Sequence, residues 1–414
     1  MSLKVLVLSR NYPNNVTATS GLWVEGLVRH VSRLCEVHVV APVPYCPPLP
    51  AFVSYTRYRH ILPQQHVNGV EVWHPRFLTG PGYVLHSVEA STYYWGVRHH
   101  IDQLRRNFPF DLIHAHFSYP DGFVAARLGQ DYHVPVVITE HAPWLPWMED
   151  YPRVCRQAVW ASRACVFHIA VSRSVRNTIA HFTGEHDRLQ VIPVGVDGSI
   201  FAPIYDGSKP DPSQILYVGR IHPIKGIDIL LRATRQLVSR RPEVRVVFVG
   251  GSLLSRDYRL QEERLRRLAG ELDLEGHVEF VGEKPPQEVA ALMRKSAVLV
   301  LPSRAESFGA VLVEALACGT PVVATRCGGP EDIVTDEVGV LVPPEDEDAL
   351  AEGIEHVLQR RDRYDPARLR AYALQHFSWE RVASDTVDLY REAIGIGGPQ
   401  EVTPQGVTVH GEEQ

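Results

Sequence analysis

Short runs of aliphatic and β-branched residues alternate with longer amphipathic segments along most of the chain. In the first half, the short runs predict strands at Lys4–Leu8, Glu36–Val40, Val70–Trp73, Leu112–Ala115, Val136–Thr139, Val166–Ala170 and Leu189–Ile192. The segments between them predict helices at Leu22–Leu34, Ser87–Asn107, Gly122–Leu128, Val154–Arg163 and Ser174–His181. Strands that alternate with helices are typical of parallel sheets covered by helices on both faces.

The same alternation begins again in the second half of the chain. It predicts strands at Gln214–Val218, Val244–Val249, His277–Val281, Ala297–Leu301 and Val322–Ala324. It predicts helices at 226–240, 257–272, 286–295, 309–318 and 346–361. The Pro- and Asp-rich segment Phe201–Ser213 between the halves is typical of a linker. We therefore predict an α/β protein with two doubly wound, Rossmann-like domains, 1–204 and 205–378.

Two segments do not follow this alternation. Residues 42–66 contain six prolines among aromatic and basic residues and show no hydrophobic period. They predict a long irregular loop, and such loops are usually functional or disordered. Residues 395–414 are rich in Gly, Glu and Gln, which predicts a disordered tail.

Composition narrows the class of protein. A chain of 414 residues exceeds the size at which one core keeps growing, which agrees with two domains. A net charge of -6 gives no general reason to bind nucleic acid. The six cysteines have no CxxC spacing, and no run approaches the roughly 20 apolar residues of a membrane helix. We expect a cytoplasmic protein, at most bound peripherally to the inner face of the membrane.

Two glutamates in the second half form the most informative pattern. Glu314 lies inside the apolar run Ala310–Cys318, where a carboxylate is unfavourable by several kcal/mol unless a specific group binds it. Glu306 precedes it by eight positions, a helical span of roughly 12 Å. The two acids could bind the ribose and the sugar of a nucleotide sugar, with a phosphate at the helix start at Phe308 and Gly309. Alternatively, one acid caps the helix and the other is paired inside the core.

A second pattern follows the strand at 214–218. Arg220 and Lys225 lie in a Gly- and Pro-containing loop before a helix, where the helix dipole disfavours positive charge. Two cations at this position indicate an anion between them, and a diphosphate suits the fork of Arg and the point charge of Lys. The alternative is two solvated basic residues.

The first half offers weaker signals. Gly21 opens a helix two residues before Trp23 and permits close approach of a phosphate or sugar, although a turn glycine is the simpler interpretation. His114, His116 and His141 follow strands and could suggest a metal, but they form no closed ligand set. We expect no metal there; His141 would line a sugar pocket, and His114 could equally hydrogen-bond loop backbone.

Together these residues resemble glycosyltransferase family 4, the large retaining family of GT-B architecture, over nearly the whole ordered chain. The most specific matches are Gly219-Arg220 with Lys225-Gly226, and the E-x7-E signature from Glu306 to Glu314. The segments 111–116, 135–141, 170–172, 193–197 and 377–380 are also similar. The first loop departs from the family, since Ser20-Gly21 replaces a common Gly-Gly pair.

The resemblance implies two Rossmann-like domains that face each other across a cleft, with a C-terminal helix, 379–394, that packs back on the first domain. It implies that Arg220 and Lys225 bind the diphosphate and that Glu314 binds the ribose. Catalytic roles would then fall to His141, Glu306, Arg220 and Lys225. Further donor contacts would come from Gly21, Val281, Glu283, Ser307, Phe308 and Gly309, and acceptor contacts from Trp23, His116 and Tyr119.

The implied reaction is a retaining hexosyl transfer without metal or other cofactor. The donor would be a UDP- or GDP-sugar, and the acceptor a glycan, a lipid-linked saccharide or another hydroxyl compound of the cell envelope or exopolysaccharide. Two alternatives remain. A nucleotide-sugar epimerase of the same architecture should carry acids positioned for elimination, and a non-catalytic sugar-nucleotide-binding protein should lack one of the four ionic residues.

Overall fold

The chain divides into two compact units in the computed structural model. The structure describes residues 2–47, 50–80, 86–142, 150–185, 187–204, 210–251 and 256–397. The first unit runs to Gly195 and resumes at Trp379, and the second unit is Val196–Ser378. The chain therefore enters the second unit before the linker that composition predicts at 201–213, not within it.

The first unit is built on a sheet with the strand order β10-β9-β8-β7-β1-β2-β5-β4, in which only the edge strand β4 is antiparallel. Its strands and those of a small separate pair, β3 and β6, are β1 (Lys4–Leu8), β2 (Glu36–Val40), β3 (Val43–Pro44), β4 (Gln64–Val67), β5 (Val70–Trp73), β6 (Arg76–Phe77), β7 (Leu112–His116), β8 (Val136–Glu140), β9 (Phe167–Ala170) and β10 (Leu189–Val191). The helices between them are α1 (Leu22–Val31), α2 (His86–Asn107), α3 (Phe123–Tyr132), α4 (Pro152–Ala164) and α5 (Arg173–Thr183).

The second unit has an all-parallel sheet with the order β13-β12-β11-β14-β15-β16. Its strands are β11 (Asp211–Val218), β12 (Arg245–Val249), β13 (Val278–Gly282), β14 (Ser296–Leu301), β15 (Val322–Thr325) and β16 (Gly339–Val342). Its helices are α6 (Ile227–Arg240), α7 (Arg256–Glu271), α8 (Pro286–Lys295), α9 (Ala310–Ala317), α10 (Glu347–Gln359) and α11 (Pro366–Phe377). The predicted doubly wound α/β class is confirmed. Strand β16 and helix α11 were not predicted.

The prediction of a long irregular loop over 42–66 is wrong. This segment contributes β3, a 3-10 helix at Pro50–His60 and the edge strand β4. Long-range hydrogen bonds hold it in place: the Arg76 guanidinium donates to the carbonyl oxygens of Tyr58 at 2.5 Å and Ile61 at 2.6 Å. Such contacts satisfy backbone groups that the local proline-rich sequence cannot pair.

A final helix, α12 (Trp379–Ile396), returns to the first unit and completes its core. Its buried face includes Val382, Val387 and Tyr390. The indole of Trp379 lies so close to two glycines that a Cβ at Gly26 or Gly195 would come within 2.5 and 2.3 Å of its ring. Each buried apolar side chain of this size contributes roughly 1.5–3 kcal/mol to stability. Of the tail predicted at 395–414, residues 398–414 lie outside the described residues.

Candidate active site

Several predicted donor residues lie at one edge of the second sheet. The carboxyl ends of β11, β12 and β13 are joined by backbone hydrogen bonds beyond the strands, from Gly219 N to Val249 O and from Gly250 N to Gly282 O, both 3.0 Å. Val281 is half-buried within β13, and Glu283 is exposed just after that strand. In doubly wound sheets this edge is where ligands bind.

The loop after β11 holds Arg220 and Lys225 in different states. The buried Tyr217 hydroxyl donates to the Arg220 carbonyl oxygen at 2.9 Å and so fixes the start of the loop. The Arg220 side chain is exposed, and within the described part of the chain no carboxylate pairs with it. A cation that is held by its backbone but unpaired at its head group is available for an anion.

Lys225 and Glu306 form an ion pair, which sequence analysis did not predict. The Lys225 Nζ contacts Glu306 Oε2, and the two side chains are only 13% and 14% exposed. The Ser303 hydroxyl lies 3.4 Å from the same carboxylate oxygen. Backbone bonds fix Glu306 further, since its N–H donates to Cys327 O at 3.1 Å and its carbonyl accepts from Gly329 N at 2.8 Å. The pair presents a positive and a negative group at one rigid position.

The start of α9 adjoins this pair. Gly309 has φ of +98°, a left-handed conformation that side chains disfavour, and a Cβ added to this glycine would lie 3.6 Å from Glu306 Cγ. No side chain caps this helix, whose first residue is Ala310. Ser307 is half-buried and Phe308 is buried. Uncapped first-turn amides together with the helix dipole favour an anion here.

Glu314 lies within α9 and remains without a partner. Its residue is half-buried, and none of the described residues hydrogen-bonds to its carboxylate. Removal of water from around the carboxylate raises its pKa from 4.5 to about 7. The alternative of an internally paired core glutamate is therefore not what the structure shows, and a ligand with hydroxyl donors would satisfy this group.

In the first unit, the predicted sugar contact is His141, which follows β8. Its ring is half-buried, and its Nε2 lies 2.9 Å from His116 Nδ1. Burial lowers the pKa of His141 to about 3, so the ring is neutral at neutral pH. Its backbone N–H donates to Glu140 Oε1 at 3.1 Å, and the same oxygen accepts from Ala142 N at 3.3 Å. Side chain and backbone of His141 are thus both held.

Trp23 in α1 lies near this histidine, and Gly21 immediately precedes that helix. Trp23 is 40% exposed, its ring centroid is 6.2 Å from that of His141, and a cavity of about 20 Å³ is lined by both rings. Gly21 has φ of +64°, and a Cβ there would lie 2.0 Å from Asn11 O. The tight turn therefore requires glycine whether or not a ligand binds.

Two predicted acceptor contacts have a different placement. His116 is fully buried, and Tyr119 is 7% exposed with its hydroxyl donating to the His86 carbonyl oxygen. Both side chains are therefore engaged inside the first unit, and their role as acceptor contacts stays a prediction. His114 is structural, with its ring nitrogens 2.6 Å from the Tyr390 hydroxyl and 2.8 Å from the Thr139 hydroxyl.

Glu140 and Tyr217 hold the backbone of His141 and of Arg220, and no motif in the sequence marks either residue. Among the residues that the structure describes, no group of three or more His, Cys, Asp or Glu side chains could hold a metal ion. None of the described helices is long and apolar enough to cross a membrane.

Comparisons with known proteins place the chain in a family. Residues 206–376 match the model of glycosyl transferases group 1, and residues 21–199 match the model of glycosyltransferase family 4. A D-inositol 3-phosphate glycosyltransferase of Acidothermus cellulolyticus is 33% identical over 69% of this chain and 68% of its own length. That of Catenulispora acidiphila is 34% identical over 72% and 76%. The chain belongs to glycosyltransferase family 4.

Solved structures show the same GT-B fold as this glycosyltransferase. Sucrose-phosphate synthase from Thermosynechococcus elongatus matches with a TM-score of 0.77 and 22% identity, covering 95% of this chain and all of the other. Anabaena HepE in complex with UDP matches with a TM-score of 0.71 and 21% identity, covering 94% of this chain and all of the other. At these identities the likeness concerns the fold alone.

Proposed function

We propose that this glycosyltransferase moves a hexosyl unit from a UDP- or GDP-sugar to a hydroxyl acceptor, with retention at the anomeric carbon. The observation that carries the proposal is the largely buried Lys225–Glu306 pair at the uncapped start of α9. Arg220, unpaired within the described residues, lies in the same loop after β11 as Lys225. This arrangement offers positive potential to a diphosphate and a carboxylate to the hydroxyls of a sugar.

Each part of the donor has a proposed partner in the second unit. Arg220, Lys225 and the backbone amides of Ser307, Phe308 and Gly309 would bind the diphosphate. Glu314 would accept hydrogen bonds from the ribose hydroxyls, and Glu306 from the transferred sugar. The first unit would supply His141 as a polar contact to the reacting sugar, with Gly21 and Trp23 nearby, and Val281 and Glu283 would hold the base.

In the proposed reaction the bond between the anomeric carbon and the diphosphate oxygen breaks. The acceptor oxygen forms its bond on the same face, and the acceptor proton passes to the departing phosphate oxygen. Negative charge grows on that phosphate in the transition state, where the two cations and the helix start stabilise it. These groups supply the charge that a magnesium ion provides in metal-dependent transferases, so we propose that no metal is required.

For the acceptor we propose a saccharide, in free or lipid-linked form, used in cell-envelope or exopolysaccharide synthesis. The enzyme would act in the cytoplasm, with peripheral contact to the membrane. The curated relatives are named for D-inositol 3-phosphate, so a phosphorylated polyol belongs in the acceptor panel. Product analysis by NMR would read both the linkage and the anomeric configuration.

Donor choice is tested by thermal shift with UDP, GDP and ADP at equal concentrations, because a ligand that binds the native state raises its melting temperature. The preferred nucleotide then identifies the sugars to assay. Arg220→Ala should lower turnover by roughly 100-fold or more and weaken nucleoside diphosphate binding more than nucleoside binding. The matched control is Arg267→Ala, which removes an exposed arginine from α7. Equal activity of the two variants would refute the phosphate assignment.

The two alternatives give different products. An epimerase converts the nucleotide sugar when no acceptor is added, whereas the proposed transferase needs the acceptor to form its product. A non-catalytic binding protein would show the thermal shift with no turnover for any donor and acceptor pair.

A further inference from the structure

His116 is a buried polar side chain whose one hydrogen bond within the described structure goes to His141. It is fully buried in β7, and its Nδ1 lies 2.9 Å from His141 Nε2. Its Nε2 has no hydrogen-bond partner among the described residues. A buried polar group is unfavourable unless it is paired, so the pairing with His141 is what satisfies this ring.

The neighbouring His114 is also fully buried in β7, yet its hydrogen bonds are satisfied without His141. Both nitrogens of His114 have partners in the protein, the hydroxyls of Tyr390 and Thr139. Its ring lies 4.4 Å from that of His116, between centroids. His114 therefore serves the packing of the first unit, whereas His116 contacts His141, the histidine with a predicted catalytic role.

The contact between the two rings couples their tautomers. Burial holds the pKa of His116 well below its usual range and lowers the pKa of His141 to about 3, so both rings are neutral. One ring must donate and the other accept. If His116 donates from Nδ1, His141 carries its proton on Nδ1; if His141 donates from Nε2, its Nδ1 is bare.

Each arrangement leaves one buried ring N–H without an acceptor among the described residues, which is rare in folded proteins. In the second arrangement this N–H is His116 Nε2, and in the first it is His141 Nδ1. His116 is fully buried, whereas His141 is half-buried and lines a cavity beside Trp23. A ligand could therefore pair with the N–H of His141 but not with that of His116, which favours the first arrangement.

We propose that His116 is a positioning residue that holds the His141 ring in one orientation and in the Nδ1–H tautomer, ready to donate a hydrogen bond to a sugar oxygen. The backbone of His141 is held separately, because Glu140 binds its N–H while accepting from the Ser118 hydroxyl at 2.7 Å. The catalytic meaning rests on the proposed function, but the tautomer can be measured without substrate.

The test is ¹⁵N NMR of the histidine rings in the full-length protein, with the His141 signals assigned by their loss in His141→Asn. The wild type should show a single His141 tautomer, protonated at Nδ1. In His116→Leu the His141 signals should change to a mixture or to the Nε2–H form. A bare Nδ1 in the wild type, or an unchanged pattern in His116→Leu, overturns the proposal.

Kinetics add a second readout. His116→Leu should lower kcat by roughly 10–100-fold, the range found when the partner that orients a metal-bound histidine is removed, with little change in the KM for the donor. His116→Asn keeps an N–H donor near the Nδ1 position and should recover most of the rate. Tyr390→Phe, which removes only a partner of His114, should stay within about twofold of wild type. A raised KM with an unchanged kcat, or no recovery of kcat in His116→Asn, contradicts a positioning role. Absence of transfer in the wild type would refute the proposed function and leave the NMR result to stand by itself.

Discussion

Replacing Glu314 by Gln should make the protein more stable at pH 8 and leave its stability at pH 4 nearly unchanged. Burial raises the pKa of this carboxyl from 4.5 to about 7. The folded state therefore binds the proton more tightly than the unfolded state. Its stabilising contribution is complete below pH 4.5 and is lost as the pH rises through about 7.

The size of the effect follows from that shift. A displacement of the pKa from 4.5 to about 7 corresponds to a change of about 3 kcal/mol in the free energy of unfolding. Water at this half-buried side chain reduces the figure, and we expect about 2 kcal/mol. For a unit of this size, such a gain raises the melting temperature of Glu314→Gln by roughly 4–8 °C at pH 8.

The assay is differential scanning calorimetry of both proteins at pH 4, 6 and 8. Glu352→Gln makes the same charge change at an exposed position of α10 and serves as the control. Titration calorimetry in buffers of different ionisation enthalpy adds a ligand test near pH 7. Ribose hydroxyls should favour the carboxylate, so the wild type should release more protons on nucleotide binding than Glu314→Gln. Equal melting temperatures of wild type and Glu314→Gln at pH 8 would show that the carboxyl is not desolvated.

Three further predictions concern the ion pair, the metal and the final helix. Lys225→Met and Glu306→Gln should each reduce turnover by roughly 100-fold. Because the pair acts as a unit, the double variant should lose much less turnover than the product of the two single losses. Losses that add in free energy would show that the two residues have separate roles. Activity should persist in excess EDTA, and loss that magnesium or zinc restores would contradict the proposed charge stabilisation. A chain that ends at residue 376 should be poorly soluble because the first unit loses the buried face of α12. A chain that ends at Gly397 keeps that helix and should behave as the full chain. A folded, fully active 376-residue protein would disprove this role of α12.

Hydrophobic pattern was sufficient to predict most strands and helices, because both sheets are buried and their strands are continuous apolar runs. It failed over 42–66, where order depends on hydrogen bonds from Arg76 rather than on local propensity. It also missed β16, a four-residue strand. Helix α11 was missed although Asp365 caps it and Pro366 opens it, two signals that are visible in the sequence.

The candidate site was predictable in its residue types but not in its pairings. Neither Arg220 nor Glu314 is paired with a described residue, as a binding role predicts. Both could be predicted because charge in an unusual local setting is visible in the sequence. Lys225 and Glu306 are 81 positions apart in the sequence, and the sheet order brings them together because their loops follow the neighbouring strands β11 and β14. Burial of His116 likewise depends on packing that no local pattern records.

The return of α12 determines the order in which the two units can be completed during synthesis. The core of the first unit includes Trp379, Val387 and Tyr390, which the ribosome produces after every residue of the second unit. The second unit is a continuous insertion whose ends are adjacent, since Val196 N donates to Phe377 O at 2.8 Å. The first unit therefore cannot complete its core, and the apolar surface beside Gly26 stays uncovered, until α12 has been synthesised. The second unit, although synthesised later than most of the first, can finish folding before it.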